Sequence, residues 1–239
     1  MIETTHCPYC GNDFKRVVKS KTKCKQCGDF VYKRTTLDGK HVVVTEKERD
    51  RIDAEHKKAP WISPKTKDVY HRYFVLLEYN KKRIRKILKK PFWAKINDKE
   101  AIWAAIKHYK TQCIKEWHYG LYRNAVSDTI PLLLEDKKFS KALDVCLSVC
   151  YMDHCNASNG NIKAQLSPWL KKNGEIVTHH LTQAIYIADE IGLSYEELIH
   201  RYRDVSEGIW LKLKAPIEPA KSQEHFSQRL LEVKKEITQ

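Results

Sequence analysis

Two short cysteine motifs near the start of this 239-residue chain constrain its fold more than any other feature. Both have the form C-x-x-C-G; the first contains Cys7 and Cys10, and the second contains Cys24 and Cys27. Such turns let four thiolates converge on one ion, while the glycine relieves the strain of the reversal and frees backbone amides to point at sulfur. We therefore predict a tetrahedral site for one structural zinc ion per chain, with these four cysteines as its ligands.

Iron is the competing metal, because a rubredoxin-type site uses similar knuckles. The residues around the two motifs are rich in lysine rather than acidic and aromatic, which argues against a redox role. Four thiolates also close the coordination sphere, so the site leaves no position for a water nucleophile. Disulfides are not expected, because the N-terminus has no signal-peptide pattern and the sequence indicates a cytoplasmic protein.

The residues after the second motif predict a β-hairpin followed by a helix. Strand-forming residues occupy Asp29–Thr35 and His41–Thr45, and the Asp-Gly pair between them is typical of a tight turn. Thr45 and Glu48 have the spacing of a capping box, which begins a short charged helix. Residues 1–58 are therefore expected to form a zinc ribbon with an exit helix.

The order of these motifs resembles a known type of small domain. The chain resembles the N-terminal rubredoxin-like zinc ribbon of uncharacterised bacterial and phage proteins. The resemblance lies in the order of four motifs, which are C-P-x-C-G, K-x-K-C-x-x-C-G, V-Y-x-R-T and V-x-V-T-E. The resemblance covers residues 1–55 and implies the ribbon fold and the four cysteine ligands, but no activity. Residues 129–153 more weakly resemble a tetratricopeptide helical hairpin; because no second copy follows at a period of about 34 residues, a single hairpin is expected.

The rest of the chain has a helical pattern, so the fold class is expected to be mostly α. Pro60 and Pro64 predict that residues 59–65 form a linker that ends the exit helix. Residues 66–239 are then expected to form an all-helical domain whose basic first helix spans residues 68–90. Later helices are predicted at Asp98–Gly120, at Leu121–Glu135 with a boundary near Pro131, at Phe139–His154, at Glu175–Ile191, from Ser194 onward, and at Ser222–Ile237.

The positive charge of the chain is confined to its N-terminal part. Residues 1–99 hold 26 Lys and Arg against 12 Asp and Glu, whereas residues 100–239 hold 18 of each, so the net charge of +14 lies before residue 100. Such a step predicts that the N-terminal part binds a polyanion. The candidate nucleic-acid contacts are Lys15, Lys19, Lys21 and Lys23 in the ribbon, and Lys82, Arg85, Lys86 and Lys89 on one face of the basic helix.

A solvated surface is the alternative interpretation of the basic helix, followed by a membrane-surface helix; no membrane partner is expected. Catalytic motifs are missing from the sequence, which has no P-loop, no dinucleotide-binding glycine motif and no nucleophile elbow. Cys146, Cys150 and Cys155 are interpreted as core residues of an apolar helix. Glu175 and His179 have an i,i+4 spacing that occurs by chance on many helices.

These patterns favour a non-catalytic protein that binds DNA or RNA in a regulatory or accessory role. Its gene is expected to belong to a phage or another mobile element. One alternative is an adaptor or inhibitor that binds a protein partner through its helical domain. A further alternative is an unrecognised hydrolase or nuclease within that domain.

Overall fold

A computed structural model of the chain divides it into two units, Met1–Trp61 and Ile62–Gln239. The first contains a small antiparallel sheet and the second is built from helices, so the fold is mostly α, as predicted. Within the residues that the structure describes, no helix is long and apolar enough to cross a membrane. The described residues are 6–14, 18, 20–62, 66–70, 73, 85–91, 95–157 and 174–238.

The first unit, here called the ribbon unit, has a sheet with the strand order β1-β2-β3. β2 spans Phe30–Thr35 and β3 spans His41–Val44, which confirms both strands of the predicted hairpin to within one residue. β1 spans Lys21–Lys23 and pairs antiparallel with β2. This strand has no apolar alternation in the sequence, so only its pairing with β2 identifies it.

The helix that follows the sheet, α1, spans Glu46–Ile62 and begins at the predicted capping box. The amide of Thr45 donates to the carboxylate of Glu48 at 3.0 Å, and the amide of Glu48 donates back to Oγ1 of Thr45 at 3.3 Å. The helix continues through Pro60 and therefore includes residues that the sequence assigns to a linker. Pro60 lies in the last turn, where its missing amide removes only one hydrogen bond near the helix end.

The second unit, here called the helical unit, is organised around one central helix. This helix, α5, has the predicted bounds, Phe139–His154, and its inner side includes the fully buried Leu143, Leu147 and Met152. It contacts α3, α4, α6 and α7, so the core of the unit lies around it. The neighbouring helices are α2 (Asp98–Lys115), α3 (Tyr119–Ser127), α4 (Thr129–Glu135), α6 (Thr178–Glu190), α7 (Tyr195–Leu213) and α8 (Pro219–Thr238).

Several helix boundaries differ from the predicted ones. α6 begins at Thr178 and not at Glu175. α8 begins at Pro219 and not at Ser222, because proline fits the first turn of a helix.

α2 ends at Lys115 rather than Gly120, because Trp117 adopts a left-handed backbone with φ 58° and its side chain is 58% exposed. The next break falls at Asp128 and not at Pro131. Pro131 lies in the first turn of α4, where a backbone amide has no partner within the helix, so proline fits there.

The turn between α4 and α5 is closed by a residue that is not glycine. Lys137 has φ 55°, its amide donates to the carbonyl of Leu134 at 3.0 Å, and the Lys138 amide donates to the carbonyl of Leu133 at 2.8 Å. This pair of bonds is the Schellman motif, which places the residue after the helix in the left-handed region. A lysine at that position carries strain that glycine would not.

Candidate metal centre and basic surface

The four predicted ligands come together in the ribbon unit. The sulfur atoms of Cys7, Cys10, Cys24 and Cys27 all lie within 4.8 Å of one another, and no other metal-binding group is found among the described residues. Sγ of Cys7 lies 3.8 Å from Sγ of Cys27, and Sγ of Cys10 lies 3.7 Å from Sγ of Cys24. A tetrahedral ion with metal–sulfur bonds of about 2.3 Å requires sulfur atoms about 3.8 Å apart. The cluster therefore has the size of a four-thiolate metal site.

The two knuckles use the same backbone device to bring the sulfurs together. The amide of Gly11 donates to the carbonyl of Cys7 at 2.8 Å, and the amide of Gly28 donates to the carbonyl of Cys24 at 2.9 Å. Both glycines have left-handed backbones, with φ 72° and 80°. These conformations suit glycine, so the repeated C-x-x-C-G motif itself encodes the two turns.

The electrostatics of the cluster favour a bound cation. Hydrogen bonds from the amides of Cys27 and Gln26 lower the pKa of Cys24 to about 6. At Cys27 the amide of Asp29 also favours the thiolate, but desolvation and the three neighbouring thiols raise the pKa of Cys27 to about 12. Four thiolates this close repel one another, and a divalent cation offsets that repulsion because it binds thiols in their deprotonated form.

The apolar packing around the sulfurs is small. Cys7 and Cys24 are buried together with Val18 and Val31, and Val43 packs against this group from β3. A cluster of this size contributes little hydrophobic stabilisation compared with the core of the helical unit.

One face of the sheet is open at β1 and at the start of β2. Lys23 lies opposite Phe30 in the antiparallel register, and Lys21 lies opposite Tyr32. Phe30 is 46% exposed, with Nζ of Lys21 at 4.3 Å and Nζ of Lys23 at 5.9 Å from its ring centroid. We call Lys21, Lys23 and Phe30 the open face. The sequence predicts the two lysines but not Phe30, because only the strand register shows which aromatic residue stays outside.

The other end of the same sheet face is covered by α1. Tyr32 is buried, and the guanidinium of Arg49 lies 4.4 Å from the centroid of its ring. Arg34 donates two hydrogen bonds to the carboxylate of Asp53, at 2.7 and 3.0 Å, which joins β2 to α1. Such two-pronged pairs fix geometry as well as charge. They hold α1 over Tyr32 and leave the open face outside the helix.

The basic helix is described in part. Residues 66–70, 73 and 85–87 are helical, and Val69 and Tyr73 are buried as the predicted apolar stripe requires. Three of the predicted nucleic-acid contacts, Lys15, Lys19 and Lys82, lie outside the described residues.

The predicted basic face does not extend to Lys89. Its amide donates to the carbonyl of Lys86 at 3.2 Å, the amide of Lys90 donates to the carbonyl of Arg85 at 3.0 Å, and Lys89 has φ 52°. The helix therefore ends before Lys89, so the i,i+4 spacing from Arg85 does not place Lys89 on the same helical face. Lys86 and Lys89 are exposed, whereas Arg85 is half-buried.

A polar cluster that the sequence does not predict lies inside the helical unit. Arg123 of α3 donates two hydrogen bonds to Asp153 of α5, at 2.7 and 2.8 Å. The same guanidinium reaches Nδ1 of His180 at 3.1 Å, and Nε2 of His180 lies 3.1 Å from Oγ of Ser127. The four residues come from three helices and share no local motif, so no sequence pattern could have identified them.

The hydrogen bonds of this cluster prevent Ser127 from acting as a nucleophile with His180 as its general base. Arginine is always a donor, so Nδ1 of His180 accepts and the ring proton lies on Nε2. Nε2 then donates to Ser127 and cannot accept its proton, which a catalytic base must do. Burial, followed by the charge of Arg123, lowers the pKa of His180 to about 3. The cluster therefore serves to join helices.

The other catalytic candidates of the helical unit do not form the sites that their sequence spacing suggests. Cys146, Cys150 and Cys155 are buried in the core, as predicted, and burial raises the pKa of Cys155 to about 11. α6 begins at Thr178, so Glu175 precedes the helix and does not share a helical face with His179.

The chain matches no family model, no curated protein and no solved structure. The resemblances to a zinc ribbon and to a tetratricopeptide hairpin therefore remain predictions, and function is inferred from the chemistry of the chain itself.

Proposed function

We propose that this chain is a non-catalytic nucleic-acid-binding protein with a regulatory or accessory role, whose binding surface is held in shape by zinc. The observation that carries the proposal is the open face, where two lysines of β1 lie beside an exposed phenylalanine of the neighbouring strand β2. Lysines supply salt-dependent attraction to phosphates, and an exposed ring supplies a surface for bases.

The charges of the ribbon unit leave these lysines available. Residues 1–61 hold 14 Lys and Arg against 9 Asp and Glu. Neither Lys21 nor Lys23 forms an ion pair with an acidic residue in the described part of the chain. Ion pairs on the hairpin and α1 instead join Arg34 to Asp53, Lys40 to Asp38 and Arg49 to Asp50.

Zinc is the proposed metal because the site offers four cysteine sulfurs within 4.8 Å of one another, and zinc prefers such a set of thiolate ligands. Iron accepts the same ligands, so metal analysis decides between them. The proposed role of zinc is structural, since four protein ligands leave no open coordination position.

The test measures binding of the metal-loaded full chain to a labelled oligonucleotide as salt is raised from about 50 to 200 mM. Affinity should fall linearly with salt on logarithmic axes. Replacing Lys21 and Lys23 together with Gln should flatten the slope by about 1.4, because each lost phosphate contact on a single strand contributes about 0.7.

A matched control removes the same charge elsewhere. Lys141 and Lys221 are exposed residues of the charge-balanced helical unit, and their replacement with Gln should leave the slope unchanged. Salt-independent binding by the wild-type chain, or equal slopes for the two double variants, would contradict the proposed surface.

A protein-interaction adaptor is the second candidate, favoured by one feature of α7. Leu211 is 70% exposed and lies at a cavity of about 260 Å³ lined also by Trp210, Lys214 and Ala215. An exposed leucine beside a half-buried tryptophan is a feature that protein interfaces use. A protein that co-purifies stoichiometrically and is lost on Leu211→Asp would favour this function, whereas co-purified nucleic acid that is removed by high salt favours the first.

A further inference from the structure

We infer that the open face binds single-stranded nucleic acid, with one unstacked base on the ring of Phe30 and the adjoining phosphates on Lys21 and Lys23. This inference rests on the proposed function and specifies the kind of strand that the same surface takes. It assigns Phe30 a role that neither the charge pattern nor the cysteine motifs indicate.

The geometry of the open face suits a single strand. Phe30 is in β2 and Lys23 is paired directly opposite it in β1. The sheet therefore fixes the backbones of these two residues next to each other. Both lysine ammonium groups lie within 6 Å of the ring centroid, so cations are close to the position that a stacked nucleotide would take. Bases of a duplex are already stacked on both sides, so only an unpaired base can stack on an exposed ring.

The lysine that now lies over Phe30 does not block this role. An exposed cation–π contact is weaker than the stacking of a base on an aromatic side chain. Lys21 is exposed and has a long flexible stem, so its ammonium group can move from the ring to a phosphate when a base arrives. The exchange replaces one weak contact with a stacked base and a charge-assisted hydrogen bond.

Exposure alone does not carry the inference, because isolated exposed apolar residues are normal on protein surfaces. Leu37 of the same ribbon unit is 57% exposed and lies in the turn between β2 and β3. Phe30 differs because it is aromatic, lies within 6 Å of two lysine ammonium groups that have no acidic partner in the described chain, and is not covered by α1. Leu37 is therefore a matched control for the loss of exposed apolar surface.

The test compares binding of the zinc-loaded full chain to labelled oligo(dT) of about 15 nucleotides and to a duplex of the same length. Phe30→Ala should weaken binding to the single strand by about 5- to 150-fold and leave the salt slope unchanged, because it removes stacking and not charge. Phe30→Trp should restore binding, and Leu37→Ala should bind as the wild type does. Because Phe30 is exposed, the zinc content and circular dichroism of its variants should match those of the wild type.

The outcomes separate this inference from the proposed function. If the wild type binds with a salt slope but Phe30→Ala binds oligo(dT) equally well, or loses duplex binding to the same extent, the stacking role is wrong and the charged surface stands. If the wild type binds neither probe at any salt concentration, the proposed function fails and the inference fails with it.

Discussion

The imidazole rings of His154 and His225 stack on each other, with centroids 4.3 Å apart and planes inclined by 23°. This contact joins the end of the central helix α5 to α8. Nδ1 of His154 lies 2.8 Å from Oγ of Ser222, which in turn lies 2.7 Å from the hydroxyl of Tyr202. Burial, followed by the nearby His225 and Lys221, lowers the pKa of His154 to about 4.

The helical unit should therefore lose stability in mild acid. Since the pKa of His154 falls from 6.5 to about 4 on folding, the unfolded chain binds more protons between these pH values. The contribution of the neutral ring is complete above about pH 6.5 and is lost as the pH falls toward 4, by up to about 3 kcal/mol. Urea unfolding followed by circular dichroism at several pH values measures this loss.

The matching variants are His154→Gln, which keeps a hydrogen-bonding group, and His200→Gln, which changes an exposed histidine of α7. The first should flatten the pH dependence and the second should not alter it. A pH profile that His154→Gln leaves unchanged would show that another group, such as His180 with its similarly lowered pKa, dominates.

Removal of the metal should unfold the ribbon unit and leave the helical unit folded. Cys24→Ser removes one of four ligands, and the small apolar cluster around Cys7 and Val31 cannot stabilise the sheet without the metal. Hydrogen exchange should show loss of protection in residues 21–44 and retained protection in Phe139–His154. One zinc per chain in the wild type is expected; iron or no metal would contradict the proposed centre.

The cysteines of the two units should differ in their reactivity toward thiol reagents. Cys146, Cys150 and Cys155 are buried, and burial raises the pKa of each, so they should stay unreactive toward a thiol reagent in the folded chain. The four ribbon cysteines should be protected by the metal and should become reactive when a chelator removes it. Titration with a chromogenic disulfide tests this, and rapid reaction of the core cysteines in native protein would be inconsistent with their burial.

Lys137→Gly should stabilise the helical unit by about 1 kcal/mol. Lys137 is exposed and holds φ 55° after α4, so glycine removes backbone strain without removing a packed side chain. Arg203→Gly is the opposite control, because Arg203 is exposed in the middle of α7 and glycine should cost about 1 kcal/mol there. Urea midpoints that move in the same direction for both variants would refute the role assigned to the turn.

Local patterns were sufficient for the parts of the fold that local chemistry determines. The C-x-x-C-G turns, the hairpin and the capping boxes of Thr45 with Glu48 and of Ser194 with Glu197 each depend on residues within a few positions, and the structure contains all of them. The bounds of α5 follow from its apolar residues, which recur at helical spacing and face the core from several sides.

The remaining features depend on contacts between distant residues. Trp117 has the spacing of a core residue, yet the left-handed turn after α2 places it outside. β1 exists through its pairing with β2, and the Arg123–Asp153–His180 cluster joins residues that are up to 57 positions apart. β1 has no apolar alternation of its own, and no sequence window contains all the residues of the polar cluster, so neither feature can be predicted from periodicity.

Successive side chains of β2 point to opposite sides of the sheet, so the residues that pack against the cysteines alternate with the residues of the other face. Val31 points toward the cysteines, whereas Phe30 and Tyr32 point to the opposite side of the sheet. A single residue inserted between Gly28 and Phe30 would exchange the two sides, because side chains alternate along a strand. Evolution could therefore vary the lysines and the ring of the open face by substitution, but the insertion or deletion of one residue in this segment would disturb both the packing around the cysteines and the exposed ring in one step.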